Sequence, residues 1–163
     1  MSETYHVRLD KERFVFSAAH FITFDGNVCE RLHGHNYRVF AEFFGELDEN
    51  QYVVDFIALR DELVEIIDSL DHRMLLPDSH PTIRVAQKEN EFEVTFEDRR
   101  WVFPVGDCVV LPVENTTAEK LARYIGMQLL TRLETRLGHR PTQIKIGVDE
   151  NHGQWGICEL TNE

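Results

Sequence analysis

Cys29-Glu-Arg-Leu-His-Gly-His-Asn-Tyr-Arg-Val-Phe-Ala-Glu-Phe-Phe44 is the stretch on which the fold turns. Its second half, from Tyr37, is dense in aromatic and branched residues that suit a pleated, half-buried surface. It predicts the central strand of a sheet. Phenylalanines fall on both parities (Phe40, Phe43, Phe44), so helices are expected to cover this strand. Upstream, residues 5–9 and 13–20 read as two short strands around the polar turn Asp10-Lys-Glu12. Asp25-Gly26-Asn27 marks a turn in the loop 21–32.

Downstream, Asp55 is placed to cap a helix running to Leu70, with Phe56, Leu59, Leu63, Ile66 and Leu70 on one stripe. Thr116-Thr-Ala-Glu119 fits a capping box. It opens a second helix whose apolar face holds Leu121, Ala122, Ile125, Leu129 and Leu133, and Gly138 ends it. Residues 142–148 and 154–160 are the last two strands. The order ββ-α-α-ββ predicts an α+β domain spanning 1–163, an antiparallel sheet with helices on one face. Residues 80–111 alternate like strands and read as a β-hairpin insertion. Because capping signals are complete on either side of it, the fold is not expected to need it.

A chain of 163 residues is long enough for one core and short for two. Its net charge of −12 argues against nucleic acid and against an anionic membrane surface as partners. No apolar run approaches the ~20 residues of a membrane span. The opening Met1-Ser-Glu-Thr-Tyr-His6 lacks the basic-then-apolar order of a signal peptide. Three widely spaced cysteines cannot all pair, which points to a reducing, cytoplasmic setting.

The first half of the opening stretch carries chemistry. His33 and His35, two apart on an extended segment, point to one face and reach one ion. Gly34 between them is expected to leave room beside it. His20 closes the earlier strand as a third candidate. Three imidazoles without a fourth protein ligand suit a catalytic Zn2+ with an open position. A chain with eight histidines also throws up chance pairs, so satisfied structural histidines are the competing reading. A cupin-type site would need a glutamate three or four residues after His35, and the next acid is Glu42. Cys29 is a thiol in reach of whatever the ion holds. Cys108 and Cys158 lie in apolar runs and read as packing residues, and His139 and His152 as surface. Asp71-His72 closes the first helix either as a solvated terminus or as an acid–base dyad.

Six motifs occur in one order: Phe16-Ser-Ala-Ala-His20, Cys29-x3-His33-Gly-His35-Asn-Tyr37, Val54-Asp55-Phe56, Leu70-Asp71-His72, Thr117-Ala-Glu-x-Leu-Ala122 and Val148-Asp-Glu150. Together they resemble the 6-pyruvoyltetrahydropterin synthase / 6-carboxytetrahydropterin synthase family over nearly the whole chain except 80–111. The resemblance implies the tunnelling fold, with two helices on a four-stranded antiparallel sheet and sheets joined edge to edge into trimers or hexamers. It implies Zn2+ on His20, His33 and His35, Cys29 as base, Asp71-His72 as proton relay and Glu150 as anchor for the pterin edge. Asn151 stands where the family usually has threonine, which leaves the local support of Glu150 open. The implied substrate is a pterin triphosphate, 7,8-dihydroneopterin triphosphate. The Cys-x3-His-Gly-His spacing resembles the bacterial carboxy-forming branch, which releases acetaldehyde and triphosphate for queuosine-type deazapurines. The alternatives are the pyruvoyl-forming branch, a hydroxymethyl-forming variant that uses a glutamate where Cys29 stands (Glu30 being adjacent), and a non-catalytic pterin- or metal-binding paralogue.

Overall fold

Thirteen consecutive residues, His33–Gly45, form one long strand, β5, and the rest of the chain is arranged along it. The computed structural model describes residues 2–138 and 140–161, so His139 lies outside the described residues. On one edge of β5, β2 (Val15–His20) pairs with its first half and β1 (Tyr5–Leu9) with its second. On the other edge lie β11 (Gln143–Asp149) and then β12 (Trp155–Thr161), all antiparallel. This is the expected antiparallel layer. Two strands outside that expectation widen it to seven: β6 (Arg73–Pro77) runs parallel to β2, and β10 (Cys108–Leu111) parallel to β6.

Two helices cover one face. Helix α1 (Phe56–Leu70) starts at Asp55, whose carboxylate accepts the Ile57 amide at 2.7 Å. Leu59, Leu63, Ile66 and Leu70 are buried, whereas Phe56 is 50% exposed and leaves the predicted stripe. Helix α2 (Ala118–Leu137) is capped by Thr117, one residue later than the capping box suggests, and closes on left-handed Gly138. The slip has a cause. Thr116 is buried and spends its hydroxyl on the Phe21 carbonyl at 3.3 Å, so it is not free to cap.

Both helices pack on Phe16, Ala18, Tyr37, Val39, Ala41, Phe43, Ile144, Ile146 and Val148, the alternate residues of β2, β5 and β11. The phenylalanines of opposite parity do not meet helices. Phe40 lies under the Arg8 guanidinium at 4.1 Å and beside Trp155, and Gly147 leaves its ring a space that a Cβ would enter at 2.1 Å. Phe44 stacks on His6. Long polar side chains shield that face with their apolar stems, as helices do the other.

Residues 80–111 divide in two. The strands β7 (Arg84–Lys88), β8 (Glu91–Phe96) and β9 (Arg99–Pro104) make a separate three-stranded antiparallel sheet, one strand more than a hairpin. The remainder supplies β10, which belongs to the main sheet. The small sheet is not free of the core: Ile83, Val94 and Phe96 bury against Phe21, Met74 and Leu76 in a second cluster. The segment's own residues close a buried cluster with β6, and removing it would expose that cluster to water.

Candidate metal centre and active site

Strand pairing sets the three histidines. His20 ends β2 directly opposite His33 at the start of β5, and Ala18 sits opposite His35, so alternation sends all three imidazoles to the helix side of the sheet. One ring nitrogen from each lies within 4.8 Å of the other two. Gly34 faces the other side, where a Cβ would stand 3.0 Å from the Ala18 carbonyl oxygen. Its smallness therefore serves the approach of β2 rather than making room at an ion.

The hydrogen bonds behind the rings fix their tautomers. His20 Nδ1 faces the Thr116 carbonyl at 2.9 Å, and His33 Nδ1 the Arg31 carbonyl at 2.8 Å. A carbonyl only accepts, so each Nδ1 carries the proton and each Nε2 presents a lone pair inward. His20 Nε2 is buried and makes no hydrogen bond. His33 Nε2 lies 2.8 Å from His35 Nε2, a spacing that needs a proton or a cation between the two. Burial first, then neighbouring His20 and His33, opposes Glu150 and holds the His35 imidazole below its usual range, favouring the neutral ligand form. The donor set fits a metal ion of imidazole preference.

Glu150 comes to the same place. Its Oε1 is 3.2 Å from His20 Nε2 and 3.7 Å from His35 Nε2. The support left open by Asn151 comes instead from Asp149. Its carboxylate accepts the amides of Asn151, Gly153 and Gln154 at 2.8–3.2 Å and ties the turn that carries Glu150. Tyr37 lies beneath the rings of His20 and His35 with a buried hydroxyl that makes no hydrogen bond. Burial, then the Glu150 charge, pushes that phenol far up, so it stays protonated.

Cys29 lies in the short ribbon of β3 (Thr23–Phe24) and β4 (Val28–Cys29), which turns through left-handed Asp25 and Gly26. Its thiol donates to the Glu30 carbonyl at 3.5 Å, and burial raises it while Arg99 pulls it down. The neighbouring Glu30 carboxylate stands 3.8 Å from His33 Nδ1.

Asp71 and His72 are not with the imidazoles. Asp71 accepts the Ser17 amide at 2.7 Å and holds His72 Nδ1 at 2.7 Å, and the His72 side chain is 84% exposed. Ser17 belongs to the opposite parity of β2, and His72 lines a groove with Ser17, Ala19, Gly34 and Asn36 whose rim also includes His35. His72 is held left-handed (φ 55°) by its own amide bond to the Ser17 carbonyl at 2.7 Å.

With this geometry the comparisons agree. The family model of 6-pyruvoyl tetrahydropterin synthase matches residues 9–161. The chain belongs to the 6-pyruvoyl tetrahydropterin synthase family. A Methanocaldococcus jannaschii protein provisionally named 6-carboxy-5,6,7,8-tetrahydropterin synthase is 33% identical over 144 residues, covering 88% of this chain and 87% of its own. The 6-carboxy-5,6,7,8-tetrahydropterin synthase of Bacillus subtilis is 30% identical over 148 residues, 90% of this chain and 80% of that one. A Plasmodium vivax 6-pyruvoyltetrahydropterin synthase with alanine in place of a catalytic glutamate superposes with a TM-score of 0.89 at 27% identity, over 99% and 100% of the two chains. The tunnelling fold and a pterin-synthase type of lyase are thereby shown for this member of the family.

Arg99 belongs to no motif of the sequence, and Tyr37, Thr116 and Asp149 lie within motifs that give them no part in the site. Asp149 is the one with a signal, since a carboxylate opening an Asn-His-Gly turn is a turn former.

Proposed function

We propose that this chain is a zinc-dependent lyase that converts 7,8-dihydroneopterin triphosphate to 6-carboxytetrahydropterin, releasing acetaldehyde and triphosphate, in the cytoplasm and as a homo-oligomer. The observation that supports it is the inward lone pair of His20 Nε2, buried and unbonded beside two further imidazoles. Zinc on His20, His33 and His35 would supply a Lewis acid for the side-chain oxygens of the substrate. The protein's own groups do the rest. The Cys29 thiolate removes the side-chain proton, Asp71 orients His72 for proton relay, and Glu150 accepts the paired N–H groups of the pterin edge. The Asp71-His72 pair, with its imidazole 84% exposed, is open to a second copy of the chain, which suits an assembly in which one copy presents the pair to another. All three cysteines are unpaired, which suits a reducing compartment.

One observation favours a second reading. Glu30 follows Cys29 on the same ribbon, its carboxylate 3.8 Å from the outer nitrogen of His33, and the P. vivax relative has a catalytic glutamate. That reading gives the hydroxymethyl product. Zinc-loaded protein supplied with dihydroneopterin triphosphate separates the outcomes. Acetaldehyde with triphosphate supports the carboxy-forming reaction. Triphosphate with 6-pyruvoyltetrahydropterin replaces it by the pyruvoyl-forming one, and a hydroxymethyl pterin by the Glu30 route. Substrate binding without any product leaves a non-catalytic paralogue.

A further inference from the structure

The small sheet reaches the reacting loop through one side chain. β8 and β9 are joined by the two-residue turn Glu97-Asp98, with Phe96 paired to Arg99, and Glu97 is left-handed at φ 51°. The turn places the half-buried Arg99 against the ribbon that carries Cys29 and Glu30. Its Nη1 donates to the Cys29 carbonyl at 2.9 Å and to the Glu30 carbonyl at 3.0 Å. The Arg99 guanidinium lies over Trp101 at 4.6 Å, and Trp101 stacks on Phe21 at 4.5 Å with an interplanar angle of 22°. Phe21 follows His20 directly, and its carbonyl takes the Thr116 hydroxyl, while the Thr116 carbonyl takes His20 Nδ1. One contact path therefore runs from the first imidazole to the backbone of Cys29 and Glu30. Besides Arg99, this ribbon is held by a two-strand pairing, the Glu30 amide on the Ile22 carbonyl at 2.9 Å, the Ile22 amide on the Glu30 carboxylate at 3.3 Å, packing of Cys29 on the second cluster, and polar contacts to His80, Thr82 and Asn115.

We propose that Arg99 is a positioning residue: by binding both carbonyls it sets the distance of Cys29 and Glu30 from the three imidazoles. A guanidinium suits the task because its donors are rigidly planar and its face stacks without losing them. The inference rests on the reading of Cys29 or Glu30 as the reacting group, and it holds whichever of the two is the base. A loop tied less firmly keeps its substrate contacts at Glu150 but misplaces the base, and a displacement of about 1 Å can cost ~10²-fold in rate.

The experiment uses zinc-loaded full-length protein and the variants Arg99→Met and Arg99→Lys. Arg99→Met is expected to retain stoichiometric zinc and nearly unchanged KM, with kcat lower by roughly 10- to 100-fold. Amide hydrogen exchange at Glu30, followed by NMR, is expected to speed up by about 10-fold as the local opening becomes easier. Arg99→Lys, which keeps the cation and can still donate to a carbonyl, is expected to recover most of kcat; a role in folding alone would not split kcat from KM in this way. Unchanged kcat and unchanged exchange in Arg99→Met overturn the proposal. So does a loss of kcat that comes with zinc loss, since Arg99 would then serve the metal centre. If Arg99→Met does not fold, Trp101→Leu, which removes the ring under the guanidinium and keeps an apolar side chain against Phe21, must show the same split at smaller size, or the proposal falls. If the unaltered protein turns over no dihydroneopterin triphosphate, the functional reading fails on its own, and the exchange comparison still decides whether Arg99 holds the loop.

Discussion

Asp149→Ala tests whether the turn carrying Glu150 is held by one buried carboxylate. Asp149 is 8% exposed and accepts three amides, one of them on both oxygens. The turn it closes contains His152 at φ 47°, a conformation that costs a non-glycine residue free energy unless something holds it, beside Gly153 at φ 104°, which glycine adopts freely. Hydrogen bonds to a charged acceptor contribute about 1.5–3 kcal/mol each, but they are not additive here. Asn151, Gly153 and Gln154 are exposed, so their freed amides turn to water. The net loss is therefore on the order of 2–4 kcal/mol, near that of one or two such bonds. For a chain of this size, 1 kcal/mol moves Tm by about 2–4 °C, so the expected drop is roughly 5–15 °C by calorimetry at fixed zinc concentration. Because Glu150 loses its mount, KM for the pterin should rise as well. Asp149→Asn, which keeps one acceptor oxygen, should lose less of both. A melting point within about 2 °C of the parent, a shift worth under about 1 kcal/mol, would refute the argument and leave the Glu150–Gln154 pairing as the true support.

Metal analysis should find about one zinc per chain, and His33→Ala should release it, since two imidazoles fall below the usual ligand count; stoichiometric retention sinks the centre. Cys29→Ala should keep zinc and fold while turnover falls by ~10²–10⁴-fold, whereas a near-normal rate moves the base to Glu30, to be checked with Glu30→Gln. The Ser17 amide, then His72, holds the Asp71 carboxyl below its usual range. A depressed carboxyl stabilises the fold above its unfolded value of ~3.9 and loses that contribution as pH falls through the folded pKa. Denaturation of the parent and Asp71→Asn should therefore differ at neutral pH and converge in acid, and a constant difference contradicts the assignment.

The sequence spoke clearly where a period or a cap carried the message. His33-Gly-His35 could only present both rings on one face of a strand, and Asp55 sits where an N-cap must. It was silent where long-range contacts decide. Thr116 and Thr117 are equal candidates for a cap until Phe21 claims the first hydroxyl. Phe40 looks like a helix contact because alternation shows that a face is buried but not what buries it, and here Arg8 and Trp155 do. The strands β6 and β10 are short apolar runs, and parallel pairing across a crossover leaves no local mark. Arg99 is one arginine of many until a two-residue turn aims it at Cys29.

The two faces of β5 explain why one chain displays the three-histidine cluster on one side and Asp71-His72 on the other. Odd residues from His33 to Phe43 serve the centre and the core, while even residues, from Gly34 to Phe44, line the open face with Asp71 and His72 at its edge. A strand cannot send neighbouring side chains the same way, so no single copy can converge all the groups on one point without a turn between them. Glu150 solves this by leaving its strand at the Asp149 turn, and Cys29 by riding a ribbon that the small sheet holds. Asp71 and His72 have no such device: the Asp71 carboxylate accepts the Ser17 amide and the His72 amide donates to the Ser17 carbonyl, each at 2.7 Å. Their use in catalysis thus asks for a partner copy, and the pair's rigidity, with its 84% exposed imidazole, is what a group presented to a neighbour requires.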